Sequence, residues 1–449
     1  MSARLSRPPA PGPLEAYAVQ FDPLFQTRAQ RHGFRTYLSG LLLPRERSKT
    51  LTALVGAEPL VQAQAAEVQR LQFFLSEAAW DAEAINTKRL ALLAAEPATA
   101  PSAAGVLVID DTGDRKDGSA TDHVARQYLG SVGKVDNGIV AVTTLWADEA
   151  HYYPLHVVPY TPEKRLPGGK QDAAFRTKPQ IALELVKRAQ AAGIPFCAIV
   201  ADCFYGDNNA LETALLKRGL PHVLARRGAL GRGWAPAEAD HACKDAAHSL
   251  PRRAWREVIR RFRDGHTERW WAAELTLFGY SPGRPVRAIC ATTDRHALPD
   301  LSTWYLTTNL PSALAEIVRL YGLRNWIEQG YKQMKDELGW ADFMVRSDRA
   351  IRRHWTLVCC AFAFCWWHHA LQAATDDSPL PGIPEAPPEA GKKNRPRQGA
   401  AVLATPAARG ARLADAGLLA GALLERLCRH APAGRTRRAT QRPEHRPRD

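Results

Sequence analysis

Four carboxylates in this chain stand where they could serve phosphoryl-transfer chemistry. Asp110 and Asp111 end the aliphatic run Gly105-Val-Leu-Val-Ile-Asp-Asp111, and Asp202 follows a second such run, Phe196-Cys-Ala-Ile-Val-Ala201. Glu328 lies much further on, in a stretch with helical periodicity. Carboxylates that converge from separate elements can hold divalent metal through oxygen ligands. One bound ion can then activate water or a 3′-hydroxyl, while the other stabilises the leaving oxygen of an in-line displacement. Each aspartate also has a plainer use. Asp residues at strand ends cap turns and the helix that follows, as Asp202 could before Tyr205-Gly206.

The neighbours of Glu328 add to the chemistry. Tyr321, Arg324, Glu328 and Lys335 are spaced by three, four and seven residues. At roughly 100° per residue they fall within about 60° of one another around a helix. One acid, two cations and a phenol would then share a stripe. A solvated ion-pair face, for which Arg324 and Glu328 suffice, is the alternative use of the same spacing.

Positioning such groups requires a layered scaffold, and the hydrophobic pattern supplies one. After the first run come two more strand-like segments, Gly138 to Trp146 and Tyr153 to Val158. An amphipathic helix over Lys178 to Ala192 is ended by Gly193 and Pro195, and the Phe196–Ala201 run reads as a fourth strand. A helix over Asp207 to Arg218 and a fifth strand, Pro221 to Ala225, complete the series. Three strands, helix, strand, helix, strand is the order of an α/β mixed sheet with flanking helices. In open sheets of this kind ligands collect at the strand ends. Residues 1–104 read as a helical N-terminal domain, with helices over Leu60 to Ala79 and Ala82 to Ala95. The expected core spans 105–225, with a β-rich insertion over 226–303 and C-terminal core helices over 304–370. Residues 371–449 form a basic Pro-, Ala- and Arg-rich tail, expected to be largely disordered, with one helix around Ala411 to Arg429.

Composition narrows the partner. The chain has 449 residues, 45% hydrophobic and 24% charged, which excludes disorder of the whole. Its net charge of +14, from 60 Lys and Arg against 46 Asp and Glu, points to a polyanion, with nucleic acid the default. The excess is not in the first hundred residues, where 11 basic residues nearly balance 9 acidic ones. It sits in 225–269 (11 against 6) and in the tail (14 against 8). Arg252, Arg253, Arg256, Arg260, Arg261 and Arg263 crowd the insertion and are expected to lie along DNA backbone. Trp270 and Trp271 face opposite ways in a strand, so one could stack on an unpaired base, although buried core is the commoner use. Arg45, Arg47 and Lys49, ahead of a short helix over Thr50 to Val55, are a second candidate DNA contact. Cys359, Cys360, Cys365, His368 and His369 superficially resemble a zinc cluster, but their apolar helical setting favours packing. Gly168-Gly169-Lys170 lacks the rest of a phosphate loop. Eight cysteines without a CxxC, no secretion pattern and no apolar stretch near the roughly 20 residues that span a bilayer lead to the expectation of a cytoplasmic, nucleoid-associated protein with no membrane contact.

Three blocks together resemble a known family. Val108-Ile-Asp-Asp-Thr-Gly113, followed by Val124-Ala-Arg-Gln-Tyr-Leu-Gly130 and Gly133-Lys134, is similar to the first catalytic block of bacterial insertion-sequence DDE transposases. Val200-Ala-Asp-Cys-Phe-Tyr-Gly206 resembles their Asp-x-x-Tyr-Gly block. Tyr321, Arg324, Glu328 and Lys335 match the third, Y-(2)-R-(3)-E-(6)-K, at every spacing, as in the IS-four and IS-seven-oh-one type. The resemblance covers about residues 20–370, including Tyr37 to Leu42 and Trp80-Asp81. It implies an RNase H-like core interrupted by a β-rich insertion. It also implies two Mg²⁺ or Mn²⁺ ions on Asp111, Asp202 and Glu328. Asp111 is preferred because the aspartate in related blocks directly precedes Thr, with Asp110 left open. Tyr321, Arg324 and Lys335 would hold phosphates near the transposon end. The implied partners are double-stranded terminal inverted repeats and target DNA, bound by a homodimer. A catalytically lapsed DNA-binding derivative and a structure-selective nuclease on the same core are the alternatives.

Overall fold

The aliphatic run ahead of Asp110 is the central strand of the molecule. The computed structural model describes residues 12–44, 47–59, 61–228, 243–262, 265–278, 285–296, 298 and 303–375. In it β1 (Val106–Arg115) buries Val106, Leu107, Val108 and Ile109 completely. Strands packed on both faces must be apolar throughout, which explains the continuous rather than alternating pattern. β2 (Ala125–Leu129), β3 (Lys134–Ala147) and β4 (Tyr152–Pro159) follow, then β5 (Ala198–Ala201) and β6 (His222–Arg226). The insertion contributes β7 (Arg256–Arg261), β8 (Thr267–Phe278) and β9 (Pro285–Thr292), and the chain returns along β10 (Thr303–Thr308). All ten strands form one sheet, ordered β2-β3-β1-β5-β6-β10-β9-β8-β7, with β4 sharing the outer edge of β3 with β2. β2 is a strand that the aliphatic pattern did not single out, since its Arg126-Gln-Tyr128 centre is polar.

Pairing is antiparallel between β1 and β3 and parallel from β1 to β5 and from β5 to β6. This is the mixed α/β sheet expected of an RNase H-like core. The insertion does not form a separate sheet. β10 pairs antiparallel with both β6 and β9, so β7–β9 extend the main sheet sideways. Period-two alternation then divides β8. Trp270 and Ala272 join the main core, while Ala273 and Leu275 face a small second core with Cys243, Trp255, Cys290 and Tyr305.

The helical N-terminal region contains α1 (Pro13–Ala18), α2 (Arg28–Leu42), α3 (Leu51–Leu54), α4 (Ala66–Ser76) and α5 (Ala82–Ala95). Thr27 and Gln30 cap α2 reciprocally, a local signal that fixes where it starts. α6 (Lys178–Ala191) begins with the same device, Thr177 with Gln180, and Gly193 follows its end with a φ of 69°. α7 (Cys203–Gly206), α8 (Asn209–Lys217) and α9 (Cys243–His248) precede the C-terminal trio of α10 (Leu314–Gly322), α11 (Asn325–Asp336) and α12 (Asp348–Thr375). α12 is buried along most of its length against α2, α4, α5 and β4. It carries Cys359, Cys360 and Cys365 in the core. One buried core thus runs from Leu14 in α1 through the sheet to Trp366. No described helix is long and apolar enough to cross a membrane. The expectations for the tail, including the helix near Ala411 to Arg429, fall on residues 376–449, outside the described part.

His354 of α12 ties this core together. Its Nδ1 accepts from the Tyr37 hydroxyl at 2.8 Å, and its Nε2 donates to the carbonyls of Gly339 (3.1 Å) and Trp340 (3.2 Å). Carbonyls only accept, so the neutral ring satisfies both ends. Burial, helped by Lys116, pushes its pKa down to about 3, against the opposing pull of the two carbonyls. A histidine depressed in the folded state contributes its full stability above the unfolded value of about 6.5 and loses it as pH falls toward 3. Stability should therefore fall by about 1.4 kcal/mol per pH unit for this group below pH 6.5. Urea midpoints between pH 7.5 and 5 should show a smaller pH slope in His354→Gln than in the wild type. Equal slopes would refute this role.

Candidate active site

Parallel pairing of β1 with β5 brings the first two acidic positions together. Ile109 is in register with Ala201, so the next residues, Asp110 and Asp202, follow side by side. Asp202 stands just past the end of β5, whereas Asp110 lies in mid-strand, because pairing with β3 carries β1 on to Arg115 instead of ending it at the acidic pair. The pleat sends alternate side chains to opposite faces, so Asp110 and Asp111 separate. Asp110 turns toward α11, where its Oδ2 accepts from Arg324 at 2.9 Å. Asp111 turns the other way, and its Oδ2 meets Lys178 Nζ at 3.2 Å and the Tyr205 hydroxyl at 3.3 Å.

Asp202 is held by the turn it caps. Its Oδ1 accepts from the backbone N–H of Phe204 (3.0 Å) and Tyr205 (3.4 Å). The plainer use of this aspartate is therefore real, and it leaves the second oxygen uncommitted to the cap. Gly206 explains the last residue of that block. A Cβ there would stand 1.8 Å from the Ala225 carbonyl oxygen, so only glycine lets α7 approach β6 this closely. Arg226 donates to the Gly206 carbonyl and pairs with buried Glu212 at 2.6 Å, pinning the turn from below.

Glu328 is 64% exposed on α11, and its Oε1 meets Arg324 at 2.9 Å. One guanidinium thus joins Asp110 to Glu328, with its own side chain 14% exposed. Burial works against its charge, but Asp110 and the nearby acids outweigh that and hold the Arg324 pKa above its ordinary value. Asp110 is displaced upward, first by burial, then by Asp202, Asp111 and Glu328, with Arg324 opposing. An all-oxygen donor set, with carboxylates raising one another's proton affinity, suits a hard divalent cation. Among the described residues, no three His, Cys, Asp or Glu side chains yet converge as a metal-binding group. Arg324 stands between two of the acids, and Asp202 is turned into its cap.

The stripe predicted from spacing is interrupted. Arg324, Trp326 and Ile327 donate to carbonyls three residues back, so the chain tightens between α10 and α11. Tyr321 ends α10, buried with its ring 4.8 Å from Trp304. Lys335 lies on the same side of α11 as Arg324. It meets Asp114 at 2.6 Å, whose other oxygen accepts from Trp340 at 3.0 Å. Asp114, Lys178 and Tyr205 did not stand out in the sequence as site residues. Period two from Asp110 marks Asp114, and the Asp-x-x-Tyr-Gly block marks Tyr205. Lys178 had only its place behind a helix cap.

The arginine cluster divides. Arg252, Arg253, Arg256 and Arg261 are exposed. Arg260 is not available in the same way, which corrects the expectation of one continuous track. Its guanidinium lies 5.0 Å from the Trp304 ring and 5.3 Å from Trp270, and burial lowers its pKa. Trp270 is core, and Trp271 lies 4.5 Å from Arg295. Lys49 is likewise buried, donating to the Leu43 carbonyl at 2.6 Å, so it is no surface contact. Arg47 donates to the Ala57 carbonyl, while Arg45 and Arg263 are outside the described residues.

Lys335 offers a direct test of structure against phosphate contact. Removing one partner of a buried ion pair strands the other, typically at 3–5 kcal/mol. Lys335→Met should destabilise the fold by about 3 kcal/mol in urea. An unchanged urea midpoint with lost DNA binding would instead make it a phosphate ligand.

Comparison with known proteins agrees with this layout. The description "DDE superfamily endonuclease" matches residues 20–265, and "Transposase DDE domain" matches residues 170–364. A probable transposase for insertion sequence element IS701 from Microchaete diplosiphon is 36% identical over 284 residues, 61% of this chain and 68% of that protein. With a family match over more than half its length and a mixed sheet carrying aspartates on and beside neighbouring strands, the chain belongs to the insertion-sequence DDE transposases.

Proposed function

We propose that this transposase cuts the ends of an insertion sequence and joins the freed 3′-hydroxyl to target DNA, with Asp110, Asp202 and Glu328 as ligands of two Mg²⁺ or Mn²⁺ ions. The observation that carries this is the Arg324 guanidinium, 2.9 Å from both Asp110 and Glu328, beside the strand whose pairing with β5 leads to Asp202. Asp110 takes the place first assigned to Asp111, because the pleat turns it to the face of Asp202 and Glu328. When bound, the metals supply Lewis acidity and an activated oxygen nucleophile.

The chain's own groups do the rest. Asp111, tied to Lys178 and Tyr205, holds the middle of β1 against α6 and α7. Lys335 and Tyr321 keep α11 and α10 in place, and Arg324 supplies a fork suited to a phosphate. Exposed Arg252, Arg253 and Arg256 on the insertion edge bind DNA backbone without reading sequence, so their contribution weakens with salt. Handling two ends together requires at least a dimer on DNA.

Removing a metal ligand should cost several kcal/mol of transition-state stabilisation, about a thousandfold in rate. Asp110→Asn, Asp202→Asn and Glu328→Gln should each lose Mg²⁺-dependent cleavage to that extent while still binding end DNA. Asp111→Asn should lose less. Wild-type cleavage by Asp202→Asn would sink the assignment, and an active Asp110→Asn beside an inert Asp111→Asn would return the role to Asp111. Strand joining in the same assay separates a transposase from a nuclease. The triple change of Arg252, Arg253 and Arg256 to Ala should flatten the dependence of binding on salt by about three counterions; an unchanged slope would remove them from the interface.

A further inference from the structure

We infer that Arg324 couples the binding of a DNA end to assembly of the metal site, its guanidinium standing between Asp110 and Glu328 until a DNA phosphate draws it away. The inference rests on the proposed triad and adds an order of events to it. Both ion pairs measure 2.9 Å, so the guanidinium contacts the two oxygens that a shared cation would need. A divalent ion could not settle there beside a fixed positive charge at short range. Arg324 must move before those carboxylates can act together.

Four features make that movement feasible. Arg324 sits outside the regular helices, between α10 and α11, and its own N–H reaches only three residues back, to Tyr321. Its Nε is buried without a hydrogen-bond partner, so the closed position leaves one donor unmet. A phosphate offers the guanidinium a two-bond fork outside the acidic pair. Glu328 is 64% exposed, so its carboxylate is free to reorient once the ion pair opens. The exchange replaces one Arg–carboxylate clamp by an Arg–phosphate and a carboxylate–metal contact. Linkage then requires that DNA raise metal affinity and metal raise DNA affinity by the same factor.

The test is a Mn²⁺ titration of the full chain followed by electron paramagnetic resonance, with and without a precut duplex carrying the terminal inverted repeat. The Asp110→Asn complex gives the background from DNA alone. Wild-type protein should bind Mn²⁺ at least tenfold more tightly with the duplex than without it. Arg324→Gln without DNA should bind about tenfold more tightly than DNA-free wild type and gain little further from DNA. A melting curve establishes that the variant is folded. If it is not, Arg324→Lys decides: it keeps the charge but not the two-bond fork onto phosphate, so its gain in Mn²⁺ affinity from the duplex should be smaller than that of the wild type, and an equal gain overturns the role of Arg324. Equal Mn²⁺ affinity of wild type with and without DNA overturns the coupling while leaving the triad intact. Mn²⁺ binding that is unaffected by Asp110→Asn, or absent in every form, overturns the triad and the coupling with it.

Discussion

Two ion pairs clamp α11 along β1, and the site depends on that clamp. Arg324 holds Asp110 at one end, and Lys335 holds Asp114 at the other. Eleven helical residues rise about 16 Å and four strand residues about 13 Å, so the two spacings agree to within side-chain reach. Between the pairs, Gly330 lets the helix approach the sheet, where a Cβ would come within 3.2 Å of Leu145. Tyr331 bonds the Thr143 hydroxyl, and Trp326 stacks on Tyr152 at 4.4 Å. Partly buried charges are tolerated only when well paired, so α11 has little freedom to slide. Glu328, four residues from Arg324, is thereby delivered to the side of β1 that carries Asp110.

The second constraint is the parallel register of β1 and β5. It brings two aspartates far apart in the chain near one another, and the pleat sends the two members of the Asp110–Asp111 pair to opposite faces. Motif similarity favoured Asp111, because it precedes Thr112. Strand geometry favours Asp110, because paired positions on adjacent strands share a face. Asp111 has a different setting, with Lys178 and Tyr205. A one-residue choice of this kind rests on the pleat, which a linear motif does not carry.

Charge type alone proved a poor guide to surface. Arg260 looks like its neighbours in sequence, yet it lies between aromatic rings and bonds Glu268 at 3.4 Å. Lys49 is similarly enclosed. In both cases the long apolar stem is buried with a polar head that finds acceptors or rings nearby. The exposed arginines that remain lie on or beside β7, the outermost strand of the sheet. Because the insertion extends the central sheet itself, these cations and the aspartates of β1 belong to one continuous framework.

Much of this protein was legible from the order of its residues. The buried strands announced themselves as aliphatic runs, α2 and α6 have reciprocal caps at their starts, and the Asp, Asp and Glu blocks appeared in family order. These are local signals, set by periodicity, capping and turn chemistry within a few residues. The tight turn between α10 and α11 was not legible, nor was the polar edge strand β2, because both depend on what packs against them. The separate settings of Asp110 and Asp111, which arginines reach solvent, and the contact of Arg324 with Asp110 were decided only in three dimensions. The Arg324–Asp110 and Arg260–Trp304 contacts join segments far apart in the chain, and their energy comes from burial and charge pairing that exist only once the sheet has closed on its helices.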